Sequence, residues 1–211
     1  MIVDGLVPDP RRPGSTRVFV EGRPAWTVPA DVVEHLGLKV GGTLRGDVVE
    51  QLDRAADEEG AFRAGLRAIA RRAHGKREIA RKLERKGHEP RAIAGAVERL
   101  ARDGLLDDLE FAAAYIAAKH DRGRGPIRLR HDLARLGVPA EVVALALARL
   151  QDGSQDPLDH PRALAARRMR QLTGLSAETR RRRLTAFLAR RGYGGSEARQ
   201  VIEETLGSRT P

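Results

Sequence analysis

Three short stretches of the sequence share one pattern: Leu83-Glu-Arg-Lys-Gly87, Leu133-Ala-Arg-Leu-Gly137 and Leu188-Ala-Arg-Arg-Gly192. Each is a basic segment that ends at a glycine, the residue most often found in the left-handed position that closes an α-helix. The stretches begin 50 and 55 residues apart, and repeats of about this length are typical of helical arrays. The sequence therefore predicts three related helical units, each with a helix that ends at one of these glycines.

A second amphipathic helix is predicted after each glycine, because apolar residues follow at spacings close to i, i+4 and i+7 and so share one face. These residues are Ile93, Val97 and Leu100 in the first unit, Val143, Leu147 and Leu150 in the second, and Val201, Ile202 and Leu206 in the third. Pro90 and Pro139 suit a first helical turn, and Ser196 can serve as an N-cap. A further helix precedes each motif, over residues 62–73, 111–119 and 161–172.

The predicted fold class is mainly all-α, with three tandem three-helix repeats that form an elongated, curved array behind a small N-terminal extension. The extension covers residues 1–60, and the repeats cover residues 61–104, 105–151 and 152–211. Residues 1–16 contain three prolines and are expected to form a mobile tail. Residues 17–28 are expected to form a β-hairpin that turns at Glu21–Gly22–Arg23, with short helices up to residue 59. Residues 122–126 and 151–157 are predicted linkers, the second a flexible joint.

The residue inventory argues against catalysis. The chain has no cysteine, hence no thiol nucleophile or thiolate metal site, and it has no phosphate-binding Gly-x-x-x-x-Gly-Lys motif. The six histidines show no metal-ligand spacing and are interpreted as surface or capping residues. Asp107 and Glu110 have the spacing of a capping box, which we prefer to an Asp107–Asp108 acid pair. We therefore expect no enzyme activity, no cofactor and no metal.

The chain is expected to be cytoplasmic. The N-terminus lacks a basic start followed by an apolar segment, so no signal peptide is predicted. No stretch approaches the roughly 18 uninterrupted apolar residues of a membrane span. The absence of cysteine is consistent with a reducing compartment.

Charge is distributed unevenly along the chain. The formal net charge is +10, but residues 1–60 carry 7 basic and 11 acidic residues. The net charges of the three predicted repeats are +8, +1 and +5, in chain order. A basic field of this kind indicates a polyanionic partner, although solvated helix faces are the alternative interpretation. One hypothesis is that the acidic N-terminal segment folds back over the basic surface.

Clustered cations define the candidate DNA-binding surface. The candidate residues are Arg77, Arg81, Lys82, Arg85, Lys86, Arg122, Arg124, Arg128, Arg130, Arg180, Arg181, Arg182, Arg183, Arg190 and Arg191. Gly123 and Gly125 are interpreted as giving a phosphate close access to a helix N-terminus. We expect the first and third repeats to contact the DNA backbone with little sequence preference, while the middle repeat contacts protein.

Several pieces of the central sequence match one known pattern in order and spacing. They are Leu66-Arg-Ala-Ile-Ala-Arg-Arg72, Lys76-Arg-Glu-Ile-Ala-Arg-Lys-Leu83, Lys86–Gly87, Gly104-Leu-Leu-Asp-Asp108, Phe111–Ala112, and Arg124-Gly-Pro-Ile-Arg128 leading to Leu133 and Gly137. Over residues 61–151 the chain resembles the RecX family of recombination regulators, and the third unit is similar but looser. Gly75 departs from the serine usual in the family, but glycine is an acceptable N-cap.

The resemblance implies a non-enzymatic protein that binds the RecA filament on single-stranded DNA, along its helical groove. Such a protein limits filament growth and thereby ATP hydrolysis, strand exchange and co-protease activity. The expected partners are the RecA filament and single-stranded DNA, with duplex DNA as a further candidate, and the expected state is a monomer. Two alternatives stay open: a helical DNA-binding transcription regulator, because three-helix units resemble helix-turn-helix modules, and a nuclease, which would need an acidic metal cluster.

Overall fold

The computed structural model describes residues 1–152 and 156–207. The chain divides into two compact units, residues 1–106 and 107–211. The first unit contains β1 (Val3–Pro8), β2 (Ser15–Val20), β3 (Arg23–Pro29), α1 (Ala30–His35), α2 (Gly46–Ile69), α3 (Lys76–Glu84) and α4 (Pro90–Arg102). The second contains α5 (Asp108–His120), α6 (Pro126–Leu136), α7 (Ala140–Asp152), α8 (Asp159–Met169), α9 (Ala177–Arg191) and α10 (Gly195–Gly207). Residues 153–155 of the predicted joint at residues 151–157 lie outside the described residues.

The N-terminal segment forms a three-stranded antiparallel sheet in the order β1-β2-β3. The predicted hairpin corresponds to β2 and β3, and its turn places Glu21 and Gly22 at positive φ. The prediction of a mobile tail over residues 1–16 is wrong, because Val3–Pro8 pairs with β2. The prolines that suggested a tail lie at the end of this edge strand and in the loop beyond it, where no ladder hydrogen bond needs their missing N–H.

Helix α2 is continuous over 24 residues, so the predicted break between two helices at residues 60–61 is wrong. Gly60 and Gly65 lie inside α2 where α4 and the loop before it approach closely. A Cβ on Gly65 would lie 2.6 Å from Leu100 Cδ1, and one on Gly60 would lie 3.3 Å from His88 Cε1. These glycines therefore serve packing and do not end the helix. The four-segment division of the chain stays a prediction.

The three glycine motifs end their helices in the same way. Gly87, Gly137 and Gly192 have φ values of 83°, 89° and 89°. In each case the residue after the glycine donates its N–H to the leucine carbonyl that opens the motif, at 3.3, 3.1 and 3.0 Å. This 6→1 bond is the Schellman arrangement. The predicted helix ends are confirmed at all three positions.

Each repeat encloses its own apolar core. Leu83, Leu133 and Leu188, the first residues of the three motifs, are each at most 1% exposed. The residue four positions earlier in each helix is also buried, which gives one apolar face per helix. These earlier residues are Ile79, Leu129 and Leu184. A fourth cluster joins Val18 and Val28 of the sheet to Leu52 of α2. The predicted fold class, mainly helical with three repeats and a small β extension, is confirmed.

The predicted helix starts are confirmed in part. Asp107 caps α5, because its carboxylate accepts from the N–H groups of Leu109 and Glu110. Pro90 occupies the first turn of α4. Pro139 precedes α7, which begins at Ala140, and Ser196 is not an N-cap, since α10 already begins at Gly195.

Candidate nucleic-acid interface

Helix α3 presents the first predicted group of cations. Arg77, Arg81, Arg85 and Lys86 are exposed, along α3 and in the turn after it. Lys82 is half-buried, and its Nζ lies 2.7 Å from His74 Nε2. Burial lowers the pKa of His74 and so favours its neutral ring. With Nδ1–H donating to Arg72 O, Nε2 accepts a hydrogen bond from the Lys82 ammonium, which holds that charge in place. The structure thus brings these five predicted residues together on one part of the first unit.

The acidic part of α2 pairs with α4 rather than with α3. Glu58 lies 3.9 Å from Arg91, and the buried carboxylate of Glu59 lies 3.5 Å from Arg99 and 2.6 Å from Arg63. These ion pairs neutralise Arg91 and Arg99 on α4 and Arg63 on α2 itself. They contact none of the predicted α3 residues, so the contacts within this unit do not support the hypothesis that the acidic segment covers the basic surface.

A groove between α2 and α3 adds two cations that were not among the predicted residues. Its rim consists of Arg67, Arg71, Lys82, Arg85 and Lys86. None of the five forms an ion pair within the described residues. Arg67 and Arg71 have the i, i+4 spacing of neighbours on one helix face, so this signal was present in the sequence.

Two of the four predicted cations in the second group form ion pairs within their own repeat. The guanidinium of Arg124 pairs with Asp132 and donates to Tyr115 Oη, 3.3 Å away. Arg128 lies 3.5 Å from the same carboxylate. Arg122 and Arg130 are exposed. The near-neutral middle repeat therefore offers fewer unpaired cations than the sequence suggested.

The interpretation of Gly123 and Gly125 as a phosphate site is not supported by the structure. The N–H groups of Gly125 and Ile127 donate to the carbonyls of Arg191 and Gly192, at 2.7 and 3.1 Å. The orphan donors at the start of α6 are thus satisfied by the orphan acceptors at the end of α9. A Cβ on Gly125 would lie 2.6 Å from Gly192 O. The glycine therefore permits contact between two helix ends, which occupies the place proposed for an anion.

Helix α9 carries the densest exposed charge of the second unit. Arg181, Arg182, Arg183 and Arg190 are exposed and form no ion pair within the described residues. Arg180 is half-buried. Arg191 has an internal role, since its guanidinium donates to Arg122 O at 3.1 Å and stacks 5.0 Å from the Phe187 ring centre. Two further exposed arginines at the end of α8, Arg167 and Arg170, were not predicted because they lie outside the longest arginine runs.

Three histidines differ from the predicted surface or capping role. His74 is buried. The rings of His120 and His160 lie 4.2 Å apart between their centres, and His120 Nδ1 and His160 Nε2 are buried atoms without a hydrogen-bond partner among the described residues. Burial, followed by the neighbouring His120, lowers the pKa of His160 below its ordinary 6.5. Both effects disfavour the charged ring.

This pKa shift predicts a loss of stability in acid. The folded state disfavours the protonated ring of His160. Its contribution to the free energy of unfolding is therefore fully present above pH 6.5 and decreases as the pH falls below that value. His160→Gln should reduce the acid-induced fall in the free energy of unfolding. Urea unfolding at several pH values between 7.5 and 5 measures the free energy of unfolding of both proteins. His35→Gln, a change at an exposed histidine, is the control, and equal pH profiles for wild type and His160→Gln would contradict the prediction.

Neither a metal-binding cluster nor a membrane-spanning helix is present in the described residues. Within residues 1–152 and 156–207, no group of three or more histidine, aspartate or glutamate side chains could hold a metal ion. Over the same residues, no helix combines the length and apolar character needed to cross a bilayer. The basic surfaces on α2–α3 and α9 are therefore the main candidates for binding.

Comparisons with known proteins match this architecture. Family models described as the first, second and third three-helix domains of RecX match residues 61–100, 107–147 and 155–202. A protein named Regulatory protein RecX from Halorhodospira halophila is 36% identical over 148 residues, which cover 70% of this chain and 89% of that protein. One with the same name from Xanthomonas campestris pv. campestris is 35% identical over 147 residues, covering 69% and 88%.

Two solved structures are similar in fold. One, described as the crystal structure of regulatory protein RecX, has a TM-score of 0.79 at 19% identity and covers 96% of this chain and 99% of its own. The other, RecX from Lactobacillus salivarius, has a TM-score of 0.65 at 18% identity and covers 71% and 96%. Taken with the three matched domains and the sequence identities, these results show that the chain belongs to the RecX family of regulatory proteins.

Proposed function

We propose that this protein is a non-enzymatic, cytoplasmic regulator of the RecA recombinase. It binds the RecA filament on single-stranded DNA as a monomer and limits filament growth, and with it ATP hydrolysis, strand exchange and co-protease activity. The observation that carries this proposal is the presence of all three RecX domains in one chain. The role in DNA repair and the SOS response follows from the same partner.

Contact with DNA is the second part of the proposal. Among the described residues, cations without ion-pair partners lie on α9 and around the α2–α3 groove, one set in each unit, whereas two of the four predicted cations of the middle repeat, Arg124 and Arg128, are paired with Asp132. Such surfaces bind phosphate backbone by releasing counterions, with affinity that falls steeply with salt. Arginine adds bidentate contacts to phosphate. Single-stranded DNA is the main nucleic-acid partner proposed, and duplex DNA a further one.

The proposal predicts inhibition of RecA at low stoichiometry. RecA-catalysed ATP hydrolysis is measured on single-stranded DNA while this protein is titrated in. Strong inhibition well below one copy per RecA is expected, because a regulator that acts on the filament affects many subunits at once. The titration is repeated with enough RecA to cover the DNA. Inhibition that persists without free single strand shows that free DNA is not the target.

Two outcomes would contradict this mechanism. Inhibition that requires enough protein to coat the DNA would indicate competition for the strand. Unchanged ATP hydrolysis would favour a helical DNA-binding transcription regulator, which sequence-specific footprinting without RecA would then test.

A further inference from the structure

A half-buried aromatic ring lies among the exposed arginines of α9. Phe187 follows Arg183 by four residues and precedes Arg190 by three, so the three side chains are neighbours on one face of the helix. Both arginines are exposed, and neither forms an ion pair within the described residues. The ring also packs against the third apolar core, which holds it in place. The surface of α9 therefore combines positive charge with part of an aromatic ring.

Two further guanidinium groups border this ring at more than contact distance. The Cζ atoms of Arg168 on α8 and Arg191 on α9 lie 5.5 and 5.0 Å from the centre of the Phe187 ring. Both distances allow cation–π attraction but exceed the roughly 3.5–4.0 Å of van der Waals contact between carbon atoms. Arg99 Cζ, in contrast, lies 3.8 Å from the centre of the buried Phe62 ring. Phe187 therefore keeps ring surface that a ligand can reach.

These groups fit an unpaired nucleobase with phosphates on both sides. An aromatic ring is a stacking surface for any base, and guanidinium groups both stack on rings and bind phosphate. Stacking of a base on a ring is stronger than a cation–π contact at an exposed site, so a base can replace a guanidinium beside Phe187. Arg183 and Arg190 are about 10 Å apart along the helix, with the ring between them, and both have long side chains.

We propose that Phe187 is the stacking surface for one unpaired base of single-stranded DNA, whose adjoining phosphates contact Arg183 and Arg190. The inference rests on the DNA contact within the proposed function and extends it. Arginines alone bind the backbones of single strands and duplexes through the same charge, whereas the bases of a duplex are already paired and stacked. The ring therefore gives α9 a preference for single strands, without a preference for sequence, because every base has a π-face.

The first test compares two oligonucleotides of equal length and charge, one of thymidine nucleotides and one of abasic nucleotides. Fluorescence anisotropy with the full chain measures both dissociation constants. We expect the thymidine strand to bind about tenfold more tightly, which corresponds to about 1.4 kcal/mol and lies within the range for stacking of one base on an aromatic side chain. Equal affinities of the wild-type protein for the two strands would overturn the proposal.

Variants of the ring locate the effect. Phe187→Leu keeps every charge and should remove most of the preference, so that the thymidine strand binds about as weakly as the abasic strand. Phe187→Trp keeps an aromatic ring and should retain the preference. Phe19→Leu is the matched control, because it makes the same change at a half-buried ring in the N-terminal sheet, and it should retain the preference as well.

The abasic strand separates stacking from packing. Because Phe187 also packs against the core, its replacement can shift α9 and its arginines, and such a shift would weaken binding of both strands equally. Equal losses on both strands would therefore overturn the proposal, as would a preference that persists in Phe187→Leu. Loss of the preference in Phe187→Trp as well as in Phe187→Leu would assign the ring a packing role and would also overturn it.

A protein contact at the ring is a distinguishable outcome. Unchanged binding of both strands by Phe187→Leu, together with weaker inhibition of RecA, would assign Phe187 to a protein partner and overturn the proposal. The DNA measurements contain no RecA, so a failure of RecA inhibition leaves the stacking result standing. Loss of base discrimination in the wild type leaves the proposed regulation of RecA standing. If neither strand binds, the DNA contact of the proposed function is wrong, and this inference with it.

Discussion

Gly192→Ala is expected to lower the free energy of unfolding of the second unit by about 3 kcal/mol, because two penalties coincide at this residue. Its φ of 89° lies in the left-handed region, where a Cβ costs roughly 1–2 kcal/mol. The added Cβ would also overlap Arg128 N, a backbone atom that moves only with α6. For a unit of about 100 residues, thermal unfolding should show a midpoint lower by roughly 12–24 °C.

A glycine in open space separates the two penalties. Gly174 has a φ of 81°, and a Cβ added there would meet no atom within 4 Å, so Gly174→Ala carries the backbone strain alone, about 1 kcal/mol. Both residues belong to the second unit, which makes the comparison direct. If Gly192→Ala costs no more than Gly174→Ala, the contact between the ends of α9 and α6 does not constrain this position.

Neutralising the exposed arginines of α9 is expected to weaken binding to single-stranded DNA on the order of 100-fold at 0.1 M salt. The variant changes Arg181, Arg182, Arg183 and Arg190 to Gln. Each lost phosphate contact reduces the slope of log K against log salt by about 0.7 on a single strand, so four should reduce it by roughly 3. Anisotropy titrations at several salt concentrations measure both quantities.

A second set of arginines gives a control with the same change in net charge. Arg45, Arg54, Arg91 and Arg102 each lie within 4 Å of a carboxylate, and exposed pairs of this kind contribute little to stability. Changing these four to Gln should leave the salt slope nearly unchanged. Equal losses in the two variants would mean that overall charge, and not the α9 surface, determines DNA binding.

The repeats were predictable because their signals are local. A glycine that ends a helix, and apolar residues spaced for one face, act within a few residues of each other, so the helix ends at Gly87, Gly137 and Gly192 could be read directly. Strand β1 could not, since Val3–Pro8 becomes a strand only through its pairing with β2. The continuity of α2 likewise depends on Leu100 of α4, which packs where the side chain of Gly65 would be.

The residue types of the candidate site could be predicted from the sequence, but the contacts that these residues form could not. Runs of arginine identified α3 and α9, but the sequence does not show which cations have partners. Arg124 and Arg128 share Asp132, and Arg191 contacts residues almost 70 positions earlier in the chain. The Arg191 contact depends on how repeats two and three pack together, and the pairs with Asp132 depend on how the loop before α6 folds against that helix. The α2–α3 groove was missed for the same reason, because its two sides come from separate helices.

The hydrogen bonds from the start of α6 to the end of α9 also bear on how the chain folds during synthesis. The amide of Gly125 donates to Arg191 O, so the start of α6 exchanges water for this protein partner only after most of the third repeat has left the ribosome. Contacts of such long sequence separation form late in folding. The second repeat therefore completes its native structure together with the third, and not before the third has been synthesised.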